Sequence, residues 1–572
     1  MADQRPSVAH HYHQRTKYHP ETLAQTAKPL DWESQPSVFK EYKVGAAYSL
    51  KQFMAGPFSS GPTLIDPAAI APDPKYAHQW KRLSRLLLFS YGLTAKLLTT
   101  ARTPVYFRAV PSAGGLYPAE IYLISRGTPY LAPGLYHYQV ATHSLIHFWD
   151  NPVWSELKRA CFWHPALENT HLALVTTAIF FRSAWRYQAR GYRRICLDTG
   201  HLLGNIELAC AANDYRPHLI SGFCDQALNE LLYLDDTQEG AIALLPLADL
   251  LEVQQNLPLY PTAAASERDT KYGAIADEEL LPYLHRASQI TLSQDLNWRT
   301  ITRYTRATEV LPIPDKEDAT DAPDEKNDGA ISANNNNEND EKGKDITDSE
   351  AANRPPEFIS GDKYNFSFCY KVSVASGPID WGQNLHELEQ TILKRRSTRE
   401  YTGETISLNQ LKAVLDFTYH PQHYGDQGIN PSPDYCDLSL LETFIAVAGV
   451  TGLDEGCYYY APLAEELRQI RFKNFRKDLH GLCLGQPLGK DAAAVIFHTA
   501  DLTKAVERYG DRAYRYLHMD AGHLGQRINL AAIRLGLGVS GIGGFFDNMV
   551  NEVLGIPVDE AVIYITTLGR PA

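Results

Sequence analysis

Apolar positions recur at helical spacing over residues 80–93 and 408–418, and again over 201–212 and 523–535. Shorter runs rich in β-branched and aliphatic residues, at 119–124, 172–179, 442–447 and 562–567, have the length and composition of strands. The two kinds of element alternate irregularly. That order predicts an α+β architecture around a central sheet.

The pattern is also written twice. Sliding residues 131–232 forward by 322 positions, without gaps, sets them against 453–554 with 29 identities in 102 positions, where composition alone gives roughly six. Gly134, Tyr136 and Tyr138 meet Gly456, Tyr458 and Tyr460, and Arg186-Tyr187 meets Arg508-Tyr509. Asp198-Thr-Gly200-His201 meets Asp520-Ala-Gly522-His523, and Gly222-Phe223-Cys-Asp225 meets Gly544-Phe545-Phe-Asp547. One register held over that length is a repeat of domain size.

Composition adds a break between the copies. The net charge is -13, and residues 315–356 hold 13 acids and five bases, so the rest of the chain is near neutral. That segment has almost no aromatic or branched residues and cannot bury enough apolar surface to offset its chain entropy, so it is expected to be a disordered linker. The balance gives a nucleic-acid partner no electrostatic help. Eight cysteines without a C-x-x-C pair read as reduced thiols. No run of 18 apolar residues and no apolar signal region occur, so a soluble, cytoplasmic protein without a membrane partner is expected.

Three stretches carry candidate chemistry. Lys394-Arg395-Arg396-Ser397-Thr398-Arg399 places guanidiniums and hydroxyls together, which suits an oxyanion because guanidinium pairs bidentately with phosphate. Gly541-Ile542-Gly543-Gly544, followed later by Leu568-Gly569-Arg570, lets backbone pass close to a flat ring and aim N–H groups at it. In the first copy, Arg108 precedes Pro111-Ser112-Ala113-Gly114-Gly115-Leu116-Tyr117-Pro118, which can present a hydroxyl and amides to polar ring edges. Taken singly, each stretch also reads as an ordinary turn or solvated loop.

Together, R-R-S-x-R, P-S-A-G-G-L-Y-P, G-I-G-G-F and a closing G-R resemble the nitroreductase-fold flavoproteins. The likeness is nearest to the SagB/ThcOx-type azoline dehydrogenases, in particular the cyanobactin oxidases. Tyr12 to Lys17, Trp32 and Gln35 to Lys40 resemble that subfamily's leader. The resemblance covers the chain except the acidic linker. It implies two tandem FMN-dependent nitroreductase-like domains forming an intrachain pseudo-dimer, which oxidises thiazolines or oxazolines of a heterocyclised precursor peptide to thiazoles or oxazoles. It leaves room for a homodimer. The corresponding division is a leader region at 1–50, a first domain at 51–254, a helical insert at 255–314, the linker at 315–356 and a second domain at 357–572. The leader and the insert fit no core of that fold and are expected to help hold peptide.

The copies have complementary losses. The first lacks R-R-S-x-R, has Leu219-Ile220-Ser221 against Gly541–Gly543, and in the same register has Ala248 against Arg570. The second replaces P-S-A-G-G with Pro431-Ser432-Pro433-Asp434-Tyr435. One composite FMN site is therefore expected. Arg395, Arg396, Ser397, Arg399 and Arg570 would hold phosphate, and Ile542, Gly543 and Gly544 would face N5 of the ring. Pro111, Ser112, Ala113 and Gly114 would reach across from the first copy, with Arg108 supporting their loop. Some azole-forming relatives place a Lys-Tyr pair where this chain has Arg508-Tyr509. Arg is no base at neutral pH, so Tyr509 is the expected proton acceptor and Arg508 its electrostatic support. His201 and His523 could be packed core histidines. The alternatives are an NAD(P)H-dependent nitro or quinone reductase of the same fold and a non-catalytic peptide-binding scaffold.

Overall fold

The computed structural model describes residues 5–26, 29–54, 69–98, 104–294, 296–304 and 361–572. The acidic linker at 315–356 lies outside them. Each copy builds a seven-stranded antiparallel sheet. The first comprises β1 (Ala46–Ser49), β2 (Ala119–Ser125), β3 (Gly134–Gln139), β4 (Ser144–Trp149), β5 (Leu172–Ile179), β6 (Tyr215–Pro217) and β7 (Glu239–Asp249) in the order 1-4-3-2-5-7-6. The second comprises β8 (Lys371–Ser373), β9 (Glu442–Val447), β10 (Gly456–Ala461), β11 (Glu466–Arg471), β12 (Ala494–Asp501), β13 (Gly538–Ile542) and β14 (Glu560–Gly569) in the order 8-11-10-9-12-14-13. Strand for strand the two orders are the same.

Sheet pairing corrects one alignment. Leu172 of β5 faces Leu247, whereas its counterpart Ala494 of β12 faces Leu568, so the last strands are offset by 321 positions. Arg570 therefore corresponds to Asp249 and not to Ala248. A gapless slide cannot see a one-residue deletion beyond its window.

The lobes meet through paired helices. In the first copy, α1 (Phe180–Tyr187) leads into α2 (Gly191–Ala211); in the second, α3 (Leu502–Tyr509) leads into α4 (Ala513–Arg534). The helical pattern expected at 201–212 and 523–535 covers only their second halves. The first halves carry arginines and acids that look solvated in sequence, yet Arg193, Arg194 and Asp198 are buried. Where α2 crosses α4, Gly200 faces Gly522. A Cβ on Gly200 would run into the carbonyl oxygen of Met519 and lie 2.8 Å from Cα of Gly522, and a Cβ on Gly522 would meet the carbonyl oxygen of Leu197. The two backbones touch, and only glycine fits.

Buried ion clusters repeat on either side of that crossing. Arg190 and Arg193 hold Asp547 at 2.9 and 2.7 Å, and their counterparts Arg512 and Arg515 hold Asp225 at 2.5 and 2.9 Å. Burial pushes the Asp547 carboxyl up, but Arg190 and Arg193 outweigh it and keep the group well below the usual carboxylate range. The largest apolar cluster runs without interruption from Val8 of the N-terminal segment and Leu86 of the first copy to Leu530 and Leu568 of the second. The seam is thus a core, as in an obligate dimer. All eight cysteines are unpaired, and among the described residues no helix is long and apolar enough to cross a membrane.

Replacing Gly522 by valine should cost about 3 kcal/mol of unfolding free energy, because backbone on both helices must move to admit it. Urea denaturation measures this, and an unchanged midpoint would contradict the close crossing.

Candidate active site

The basic segment leaves the helix His386–Lys394 and is stitched to the second sheet. Thr398 donates its backbone N–H to Val539 O (2.9 Å) and its Oγ1 accepts from Val539 N (3.0 Å), while Thr402 N donates to Arg570 O (3.0 Å). Arg395 is buried and crosses the seam. Its Nε donates to Ala109 O at 2.8 Å and its Nη2 to Arg108 O at 3.1 Å, whereas Nη1 has no partner among the described residues. Burial lowers its pKa to about 10, partly offset by Tyr117. Arg396 donates to Thr94 Oγ1 (3.1 Å) and lies over the Phe107 ring. Ser397 is half-buried, Arg399 is exposed, and exposed Arg570 donates to Thr405 O at 2.9 Å.

The loop of the first copy arrives at the same seam. Ser112 Oγ donates to Asp198 Oδ2 (2.5 Å) and accepts from Tyr117 N (2.8 Å), and Ala113 N donates to Asp198 Oδ1 (3.2 Å). Burial raises the Asp198 pKa to about 7 against the pull of these two hydrogen bonds. Gly114, at φ +66°, has the Tyr187 hydroxyl 3.0 Å and Arg186 Cδ 3.1 Å from where a Cβ would stand. Arg108 does support this loop: it is buried, packs over the Tyr91 and Tyr117 rings at 4.3 and 4.8 Å, and donates to Val38 O.

The glycine run closes the arrangement. A Cβ on Gly543 would fall on the guanidinium of Arg194 from the first copy, and one on Gly541 would fall on the Tyr564 hydroxyl. That hydroxyl is 2.8 Å from His201 Nε2, and His201 Nδ1 is 3.0 Å from Gln526 Oε1. Burial lowers the His201 pKa to about 4, so its ring is neutral at pH 7. Arg194 and Asp198 lie one turn apart on one face of α2. One helix face therefore touches Gly543 with one residue and holds Ser112 with the other. Arg395 and Arg396, the Gly541–Gly544 run and the Pro111–Gly114 loop are thus brought together. Sequence reading missed Arg194 and Tyr564, because each gains its meaning from the copy it does not belong to.

At the pseudo-symmetric position the site is occupied by protein. Asp434 Oδ2 accepts from Leu219 N at 3.0 Å, and Oδ1 lies 3.5 Å from Arg216 and 3.2 Å from Arg303. The Tyr435 ring packs on His523 at 4.4 Å. Tyr516, the counterpart of Arg194, bonds Ser221 O and Ala264 O. Thr262 Oγ1 donates to Tyr435 O, and a Cβ on Gly222 would stand 2.5 Å from Ala264 and 2.9 Å from Trp298. Part of the insert therefore covers this second position. Within the described residues of the insert, expected to be helical, Asp277–Glu279 forms a 3-10 turn and Leu280–Ala287 a helix.

The structure places the expected pair, Arg508 and Tyr509, away from the composite seam. Arg508 Nη1 donates to Asp437 Oδ2 at 2.5 Å and the Tyr509 hydroxyl donates to the same oxygen at 3.1 Å. Asp437 and Cys436 hang on Asp520 through backbone N–H groups, as Ala113 hangs on Asp198. Arg508 and Tyr509 thus belong to the protein-filled position, and the pair at the composite seam is Arg186 and Tyr187.

Because the folded-state pKa of Asp198 is raised from 3.8 to about 7, its ionisation favours the unfolded chain, and stability falls as pH rises through that window. Asp198→Asn, which does not titrate, should lose less unfolding free energy than the wild type between about pH 5 and about pH 8. Equal pH slopes would contradict the burial of this carboxyl.

Comparison with known proteins bears on the two-lobed fold. The family model described as "Nitroreductase family" matches residues 92–248 and 392–570, one match in each lobe. A crystal structure of a nitroreductase-like protein from Anabaena variabilis is 57% identical, spans 99% of this chain and 100% of its own, and superposes with a TM-score of 0.83. A nitroreductase-like protein of Methanocaldococcus jannaschii is 33% identical over 184 residues, 32% of this chain and 91% of that protein. The microcin B17-processing protein McbC of Escherichia coli is 28% identical over 140 residues, 22% of this chain and 49% of that protein. With both lobes matched, the chain belongs to the nitroreductase family.

Proposed function

We propose that this chain is an FMN-dependent oxidase that converts thiazolines or oxazolines in a heterocyclised peptide to thiazoles or oxazoles, at one composite site per chain. The observation that carries the reading is the seam itself, where Arg395 and Gly543 of one copy face Ser112, Tyr187 and Arg194 of the other. These residues suit a flat anionic cofactor. Arg395 Nη1 and Arg194 Nε are buried without a partner among the described residues, and two glycines admit close backbone approach. Arg395, Arg396, Ser397, Arg399 and Arg570 would hold the phosphate, Ile542, Gly543 and Gly544 the N5 edge, and Pro111, Ser112, Ala113 and Gly114 the ring from the other lobe. When bound, FMN supplies the hydride acceptor.

The protein's own part is orientation and a route for the proton. Burial raises the Tyr187 pKa, while Arg194 and Arg186 oppose that rise, so its phenol stays protonated and works as a relay. Asp198, whose charge acts on Tyr187 and whose pKa is raised to about 7, can take up that proton in its carboxylate form. The likeness to a microcin-processing protein favours a peptide substrate over a small nitroaromatic. Rapid bleaching of the flavin on mixing with NADPH would favour the reductase reading instead.

Incubated with a thiazoline-containing peptide, the FMN-loaded protein should remove two hydrogens, read by mass spectrometry. Tyr187→Phe should lower turnover by about a hundredfold or more with unchanged flavin loading. Tyr509→Phe should leave it within about threefold of the wild type. The opposite ranking would return the proton path to Tyr509.

A further inference from the structure

A cavity of about 940 Å³ lies against the seam, walled by α1 and by two segments outside the repeated core. Phe180, Ala184 and Tyr187 of α1 form one side, Arg15 and Tyr18 of the N-terminal segment a second, and Leu281 of the insert a third. The walls are fastened. Val8 N donates to Asp269 O (3.0 Å), Ala9 N to Asp511 Oδ1 (2.8 Å), and Arg15 pairs with Asp277 at 2.5 Å, which joins the N-terminal segment to the insert. The volume falls in the range of sites that enclose a ligand.

Two contacts connect this cavity to the composite site. Tyr187 lines it, and the same hydroxyl stands beside Gly114. Arg190, also lining it, lies over the rings of Tyr18 and Phe545 at 4.3 and 5.0 Å and pairs with Asp547, so the wall continues into the Gly544-Phe545 run of the second copy. The electrostatics are lopsided. Arg15 pairs with Asp277 and Arg190 shares Asp547 with Arg193, and among the other lining residues Lys17 and Arg186 outnumber Glu278.

We propose that this cavity receives the stretch of peptide flanking the azoline, with the ring itself presented past Tyr187 to the seam, and that neutral or acidic flanks are preferred to basic ones. The proposal rests on the oxidase reading and adds the place and chemistry of peptide recognition. It gives the N-terminal segment and residues 277–282 a purpose that the repeated core does not need.

Fluorescence anisotropy of a fluorescein-labelled thiazoline hexapeptide with the FMN-loaded full chain tests it, using two probes that differ only by glutamate or lysine beside the ring. The glutamate probe should bind more tightly. Ala184→Trp and, from the N-terminal segment that also lines the cavity, Thr22→Trp should each weaken its binding by about tenfold or more, because an indole would take the occupant's space. Visible flavin absorbance should stay unchanged and reports that each variant is folded. Wild-type affinity in both variants, no binding by the wild type, or tighter binding of the lysine probe would overturn the proposal. If the probe binds as expected but never loses two hydrogens, the oxidase reading fails while the cavity's role as a peptide site stands.

Discussion

The close crossing of two helices at Gly200 and Gly522 sets the rest of the molecule. Bringing backbones into contact fixes the rotation of each helix about its axis, and with it the direction of every functional side chain on α2. Asp198 then points at the Ser112 loop, Arg194 at Gly543, and His201 across the seam to Gln526 and Tyr564. The reciprocal ion clusters around Asp547 and Asp225 fix the same register from the periphery. Buried pairs of this kind add little net stability against well-packed apolar side chains, but breaking one leaves an uncompensated charge. A slipped crossing is therefore penalised more than a correct one is rewarded.

Duplication within one chain permits an asymmetry that two identical subunits could not have. The composite position keeps glycines, a buried arginine and the Ser112 loop. The other position places Asp434 beside Leu219 and Arg216, Tyr435 on His523, and insert residues over Gly222. A protein carboxylate balances the guanidiniums there. With one position committed to structure, the N-terminal segment and insert are free to elaborate a single side of the molecule.

Much of this was legible in the sequence. The 322-residue register set β3, β4 and β5 and the helix α1 on their counterparts β10, β11, β12 and α3 residue for residue. The complementary losses of R-R-S-x-R and P-S-A-G-G identified which loops face each other. What stayed hidden depended on three dimensions. Helical patterning at 201–212 missed the first half of α2, because Arg193 and Asp198 look solvated until their partners appear. That Tyr187, and not Tyr509, lies beside the Ser112 loop stayed hidden because a linear alignment cannot tell which copy's helix lies beside which seam. The counterpart of Arg570 was misplaced by one residue for lack of the sheet register.

The central claim, one cofactor held jointly by both lobes, is tested most directly by the stoichiometry of FMN per chain, measured from released flavin against protein concentration. The account predicts one FMN per chain in the wild type, and none in Gly543→Val, whose side chain would displace Arg194 from the glycine run. Two FMN per chain, or a single FMN that survives Gly543→Val, would contradict it.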